Sequence, residues 1–161
     1  MGCFGVAMAV STVANRDERA EFRDVLVDTG SELTWVPASV LERLGVARAE
    51  RMVFETVSGA RIMRDVGYAL VHAGGHTAPD FVVFGEKGDS TLLGARSLEG
   101  LNLRVDPVAK QVVSRGPIPA KVVPLRMHPA RGAGATRYRV RRKSAMMVVA
   151  QKTNDHFRRS P

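Results

Sequence analysis

Val25-Leu26-Val27-Asp28-Thr29-Gly30-Ser31-Glu32-Leu33-Thr34-Trp35-Val36-Pro37 is the stretch on which the reading of this chain turns. Three consecutive apolar residues describe a buried strand that ends on Asp28. Gly30 permits a tight turn with no side chain in the way of a bound peptide. The Thr29 hydroxyl both donates and accepts hydrogen bonds, so it can brace such a turn. An Asp presented in this way is suited to be half of a carboxylate pair. Two carboxylates held close together do not both ionise; they share a proton and act as acid and base at once. The sequence holds this motif once. Chemistry of that kind therefore requires two copies of the chain. The bare tripeptide also fits an ordinary strand end, where Asp and Gly are common, so its surroundings must decide.

Working outward, Phe4 to Val13 reads as a first strand, and Asn15 to Arg19 as a polar turn. Glu21 to Val27 reads as a second strand. Leu33 to Pro37 is extended, because the residue before a proline is pushed out of the helical region. Ala38 to Leu44 predicts a short helix ended by Gly45. Arg51 to Thr56 and Arg61 to Val66 predict a hairpin around Ser58-Gly59. Gly67 to Ala73 reads as a further strand, stopped at Gly74-Gly75 and answered by His76 to Phe84. Thr91 to Gly94 is a short buried strand, and Ala95 to Leu101 a brief helix. Leu103 to Asp106 and Gln111 to Val113 are the last strands. Many short strands, one or two short helices and no βαβ rhythm predict a mostly β fold. We expect a small, closed, β-barrel-like structure.

Charge divides the 161 residues in two. Residues 126–161 hold ten Lys and Arg against Asp155 alone, whereas the other 125 residues hold 14 basic and 15 acidic side chains. The net charge of +8 is thus a property of the tail. The tail has no sustained periodicity, and Ala145 to Ala150 is its one apolar stretch. We expect a folded domain over 1–124 and a basic, disordered tail over 125–161. Contact with nucleic acid or another polyanion through Arg137, Arg139, Arg141, Arg142 and Lys143 is one reading of that tail. A solvated extension without a partner is the other, favoured because aromatic residues among the basic ones are limited to Tyr138 and Phe157.

Cys3 is the single cysteine, so no internal disulfide forms; we expect a small apolar packing role and a cytoplasmic, reducing setting. No apolar run reaches membrane-spanning length, so no membrane association is expected. Met1 to Val10 lacks the basic start of a signal peptide, and Val6 stands where an N-myristoylation signal has Ser or Thr. His72, His76, His128 and His156 lack metal-ligand spacing. No Gly-x-Ser-x-Gly nucleophile elbow exists. No metal or other cofactor is expected. Asp106-Pro107 offers a second carboxylate without the Thr-Gly context and reads as a strand-terminal turn. Trp35 reads as a packing residue rather than a platform for a ligand.

The segment from Val25 to Pro37 resembles the active-site segment of aspartic proteases. Pepsin-like members share the Asp-Thr-Gly-Ser start, seen in Asp28 to Ser31, and the Trp-Val-Pro end, seen in Trp35 to Pro37. Leu92-Leu93-Gly94 is similar to the apolar-apolar-Gly segment that crosses beneath the catalytic loop in these enzymes. Leu98 to Pro107 looks like the helix and final strand of small bacterial retropepsin-like proteases. The resemblance spans residues 1–124 and leaves the tail out. It implies a homodimer in which each subunit supplies one catalytic Asp28. Thr29 would bond across the dimer axis, and Gly30 would lie against the substrate backbone. Ser31 would follow the pepsin-like version and, with Val57, Ser58 and Gly59 of a flap, contact the substrate. Leu92, Leu93 and Gly94 would support the loop.

The activity so implied is hydrolysis of peptide or protein substrates by water activated between two Asp28 carboxylates, an aspartic endopeptidase. Two readings of other classes stand beside it. One is a protease-like module used for binding or dimerisation with little turnover. The other is nucleic-acid association through the basic tail.

Overall fold

A computed structural model describes residues 4–120. The expectations for Cys3, for the last four residues of the domain over 1–124 and for the basic tail lie outside the described residues.

Seven strands build the main sheet. In chain order these are β1 (Gly5–Ser11), β2 (Ala20–Asp28), β3 (Thr34–Pro37), β4 (Glu50–Glu55), β5 (Arg61–Ala73), β6 (His76–Gly85) and β7 (Leu92–Gly94). Six of them close a ring: β1 pairs with β2, β2 with β7, β7 with β3, β3 with β6, β6 with β5, and β5 returns to β1. The mostly β, closed architecture expected from the sequence is what the chain forms. Closure leaves the ring strands few open edges, which suits a body this small. β4 is the exception, attached to the first half of β5.

The two expected helices are present, α1 (Ala38–Arg43) and α2 (Ala95–Gly100). Gly45 ends α1 as read. It takes φ +76°, its amide bonds to Glu42 O at 2.9 Å, and the Val46 amide bonds to Leu41 O at 2.9 Å. That pair of bonds satisfies two terminal carbonyls and brings Val46 onto Leu41, both buried. A small hairpin of β8 (Leu103–Asp106) and β9 (Gln111–Ser114) follows α2. Asp106 caps its turn through the amides of Val108 and Ala109, so Asp106-Pro107 is the turn element the sequence suggested.

One strand differs from its reading. Residues 61–66 and 67–73 form a single 13-residue strand rather than two. Gly67 interrupts the apolar pattern for a tertiary reason: a Cβ there would overlap the carbonyl of Ala47 and touch Phe84 at 3.0 Å. The strand is continuous, and the glycine marks where the chain after α1 crosses it. Thus Arg61 to Val66 pair with β4 in a projecting hairpin, and Val66 to Ala73 pair with β6 inside the ring.

Alternation divides the apolar residues between two clusters. Val10, Val25, Val36, Ala69, Val71, Val82, Phe84 and Leu93 fill the interior of the ring, covered by Leu41, Leu98, Leu101 and Leu103. Leu33, Val66, Phe81 and Val83 form a second cluster with Trp35, Met52 and Phe54 at the base of the β4–β5 hairpin. Each fully buried aliphatic side chain contributes about 1.5–3 kcal/mol. The ring interior is thus the rigid frame on which Asp28 and the hairpin are mounted. Among the described residues, no helix is long and apolar enough to cross a membrane.

Candidate active site

Asp28 stands at the end of β2, half-buried, and its strand runs parallel to β7 with Asp28 opposite Gly94. The turn beyond it is closed by the Ser31 amide on Asp28 O at 3.3 Å. The Gly30 amide donates to Asp28 Oδ1 at 2.9 Å. A Cβ on Gly30 would sit 3.2 Å from that same oxygen. Gly30 therefore lets the backbone come close enough to orient the Asp28 carboxylate. The sequence reading assigns it the tight turn and an approach to substrate; this contact with the carboxylate is additional. Thr29 is exposed and does not line the cleft.

The loop is held from behind. The amides of Ala95 and Arg96 donate to the carbonyls of Ser31 (2.8 Å) and Glu32 (3.0 Å). Gly94 must be glycine, because a Cβ would overlap the backbone of Leu33 and lie 3.0 Å from Glu32 O. Leu93 is fully buried in the ring, whereas Leu92 pairs with Trp35 and faces the cleft. Leu92, Leu93 and Gly94 are thus brought against the loop.

Buried polar groups lie under this junction. The Gly94 amide donates to Thr34 Oγ1 at 3.0 Å. Thr34 Oγ1 is 2.6 Å from Ser97 Oγ, and Ser97 Oγ donates to Asp80 Oδ2 at 2.5 Å. Asp80 Oδ1 accepts the Phe81 amide at 2.7 Å and lies 3.3 Å from Arg96 Nε. The sequence reading missed Thr34, Ser97 and Asp80. Thr34 and Ser97 are 63 residues apart, and nothing in the sequence pairs them.

A cleft of about 450 Å³ opens beside Asp28. Its floor is Asp28, Gly30, Ser31 and Leu92; its far side is Phe54, Glu55, Thr56, Val57 and Ile62 of the β4–β5 hairpin. Trp35 lines it while packing edge-to-face on Phe54, with ring centroids 5.0 Å apart. Trp35 is therefore a packing residue, as expected, and also a wall of the cleft. At the hairpin tip, Gly59 takes φ +80°, and its amide bonds to Thr56 O at 2.8 Å. Val57 is fully exposed there and reaches the cleft. Ser58 bonds to Thr56 Oγ1 at 2.9 Å and, like Gly59, stays off the cleft lining.

Two further carboxylates line the cleft: Glu55 of β4 is exposed, and Asp89 is committed elsewhere. Arg64 of β5 grips it with two bonds, of 2.7 and 3.1 Å, and the Glu86 amide adds a third at 2.8 Å. Arg64 beside it holds the Asp89 carboxyl below the usual carboxylate range, and Asp89 in turn raises the Arg64 guanidinium. Asp89 thus stays ionised and clamps the 86–90 loop to the hairpin. His72 bonds to Ser11 and Thr77, away from the cleft. Among the described residues, no group of three His, Cys, Asp or Glu is placed to hold a metal ion.

No protein-family model matches the chain, and no curated protein matches it in sequence. Among solved structures, the solution structure of the simian foamy virus (mac) protease is similar at a TM-score of 0.41 and 19% identity, over 59% of this chain and 91% of that one.

Proposed function

We propose that the chain is a homodimeric aspartic endopeptidase of the retropepsin-like kind. The observation that supports this most is the setting of Asp28: a half-buried carboxylate, oriented by the Gly30 amide, on the floor of a cleft that Trp35, Phe54, Ile62 and Leu92 line with apolar surface. Asp89, the neighbouring Asp in that cleft, is neutralised by Arg64, which leaves it unsuited to share a proton with Asp28. Glu55, the other acid on the cleft, stands on the hairpin without the Asp-Thr-Gly turn, and the partner carboxylate proposed is the Asp28 of a second copy.

With one Asp28 ionised and the other protonated, the chemistry follows. The ionised carboxylate takes a proton from a water molecule held between the pair, as the water oxygen bonds to the peptide carbonyl carbon. The protonated Asp28 gives its proton to the carbonyl oxygen as charge develops there. The resulting diol collapses: the C–N bond breaks as the leaving nitrogen takes the proton of the now protonated carboxyl, the ionised carboxylate takes a proton from one diol hydroxyl, and an acid and an amine result with the pair again sharing one proton. No covalent enzyme intermediate forms. The β4–β5 hairpin, with Thr56 and Val57 on the cleft and Gly59 at its turn, serves as the flap over an extended peptide. Apolar walls at Trp35, Phe54, Ile62 and Leu92 receive its side chains.

The test is Asp28→Asn. This substitution keeps the shape of the side chain and removes the ionisable acid. We expect cleavage of a peptide library to fall by at least about 10³-fold, while the circular dichroism spectrum and the dimer are unchanged. Cleavage that persists in a folded Asp28→Asn protein overturns the assignment. A wild-type dimer without turnover favours the binding-module reading.

A further inference from the structure

Asp80 lies on β6, outside the cleft lining, and is only 7% exposed. Ser97 and Thr34 are completely buried. Each hydroxyl has one proton, so the order of donors along this row is fixed from its charged end. Ser97 Oγ gives its proton to Asp80 Oδ2. Its contact with Thr34 must then run from the Thr34 hydroxyl to Ser97 Oγ. Thr34 Oγ1, its proton used, is left to accept the Gly94 amide. Gly94 stands opposite Asp28 in the β2–β7 register, and the next two amides hold the carbonyls of Ser31 and Glu32. A buried carboxylate thereby sets the direction of a hydrogen-bond row that ends beside the Asp28 loop.

We infer that Asp80 is a positioning residue: acting through Ser97 and Thr34, it fixes Gly94 and so the height and direction at which Asp28 enters the cleft. Its consequence for cleavage rests on the function proposed above; the anchoring of Gly94 does not. In an Asp80→Asn chain one oxygen becomes an NH2 donor. The Phe81 amide and Arg96 both require an acceptor, so the NH2 turns toward Ser97. Ser97 must then accept, its proton swings to Thr34, and the Thr34 proton is left without an acceptor among its two partners.

Amide hydrogen exchange resolved to single residues, on the full chain, reads this directly. In Asp80→Asn we expect exchange at Gly94, Ala95 and Arg96 to quicken by about tenfold or more, with the amides of the β1–β5 seam within about twofold of wild type. Thr34→Val, which removes the acceptor, should do the same, and Thr34→Ser, which keeps it, should restore protection at Gly94. With a fluorogenic peptide that the wild-type chain cleaves, kcat should fall about tenfold in Asp80→Asn at little-changed KM. Gly94 exchange at the wild-type rate in Asp80→Asn, or an equal acceleration along the β1–β5 seam, overturns the anchoring. Local acceleration at Gly94 with kcat unchanged overturns the link to Asp28. If the wild-type chain cleaves nothing, the proposed function fails while the exchange data still decide the anchor.

Discussion

Gly94 carries more of the site's geometry than its lack of a side chain suggests. Its amide is bonded to Thr34, its backbone faces Asp28 across two parallel strands, and its α-carbon lies against the backbone of Glu32 and Leu33. A methyl group at this point has only backbone atoms to displace. We expect Gly94→Ala to cost about 1–3 kcal/mol in denaturant unfolding, since overpacking forces backbone shifts, and to lower cleavage further by tilting the Asp28 loop. Gly100→Ala is the control. There a Cβ meets Ala78 Cβ at an ordinary 3.4 Å, and the last position of α2 gains helix propensity, so stability should hold or rise. Equal losses in the two variants would contradict this account of Gly94. The turn at Asp28 and the short strand Leu92 to Gly94 were legible as local structure, because each is an apolar run followed by an abrupt small residue. Asp80, Ser97 and Thr34 were not, because an isolated Asp, Ser or Thr acquires meaning only from partners that the fold supplies.

Among the elements, β5 does the most varied work. Its first half makes the projecting hairpin with β4, carries Ile62 into the cleft, and clamps the 86–90 loop through Arg64. Its second half closes the ring on β1. Nearly every strand and both helices were readable from alternation and turn residues. The unity of β5 was not, because Gly67 looks like a breaker when the approach of Ala47 is unseen. His72 sits on the closing seam and bridges strands: its Nε2 meets Ser11 Oγ of β1 at 2.9 Å, and its Nδ1 meets Thr77 Oγ1 of β6 at 2.8 Å. Burial pushes the imidazole below its ordinary range, and the charges of Arg19 and Arg16 add to the shift. The folded chain therefore binds a proton here less readily than the unfolded chain. Its stability contribution is complete above the ordinary imidazole pKa of about 6.5 and is lost as pH falls below it toward the lower folded value. Urea midpoints should drop between pH 7.5 and pH 5.5, and a His72→Gln variant should lose most of that slope. A midpoint that rises on acidification, or a slope unchanged in His72→Gln, contradicts this.

At the scale of the whole molecule, the number of Asp-Thr-Gly motifs decides the argument. The ring presents Asp28 oriented by the Gly30 amide, and Asp89 in the same cleft is tied to Arg64. On the function proposed above, a single chain holds half of the carboxylate pair. The proposed working site is shared between two chains, and mixing active with inactive chains reads this out. Wild-type protein at fixed concentration is equilibrated with increasing Asp28→Asn protein, and peptide cleavage is followed. A shared site predicts that activity falls as mixed dimers replace wild-type dimers, to about a quarter of its value at a threefold excess if chains pair at random and mixed dimers are inactive. Activity that stays constant across the titration, with exchange of chains verified by mass, would contradict it.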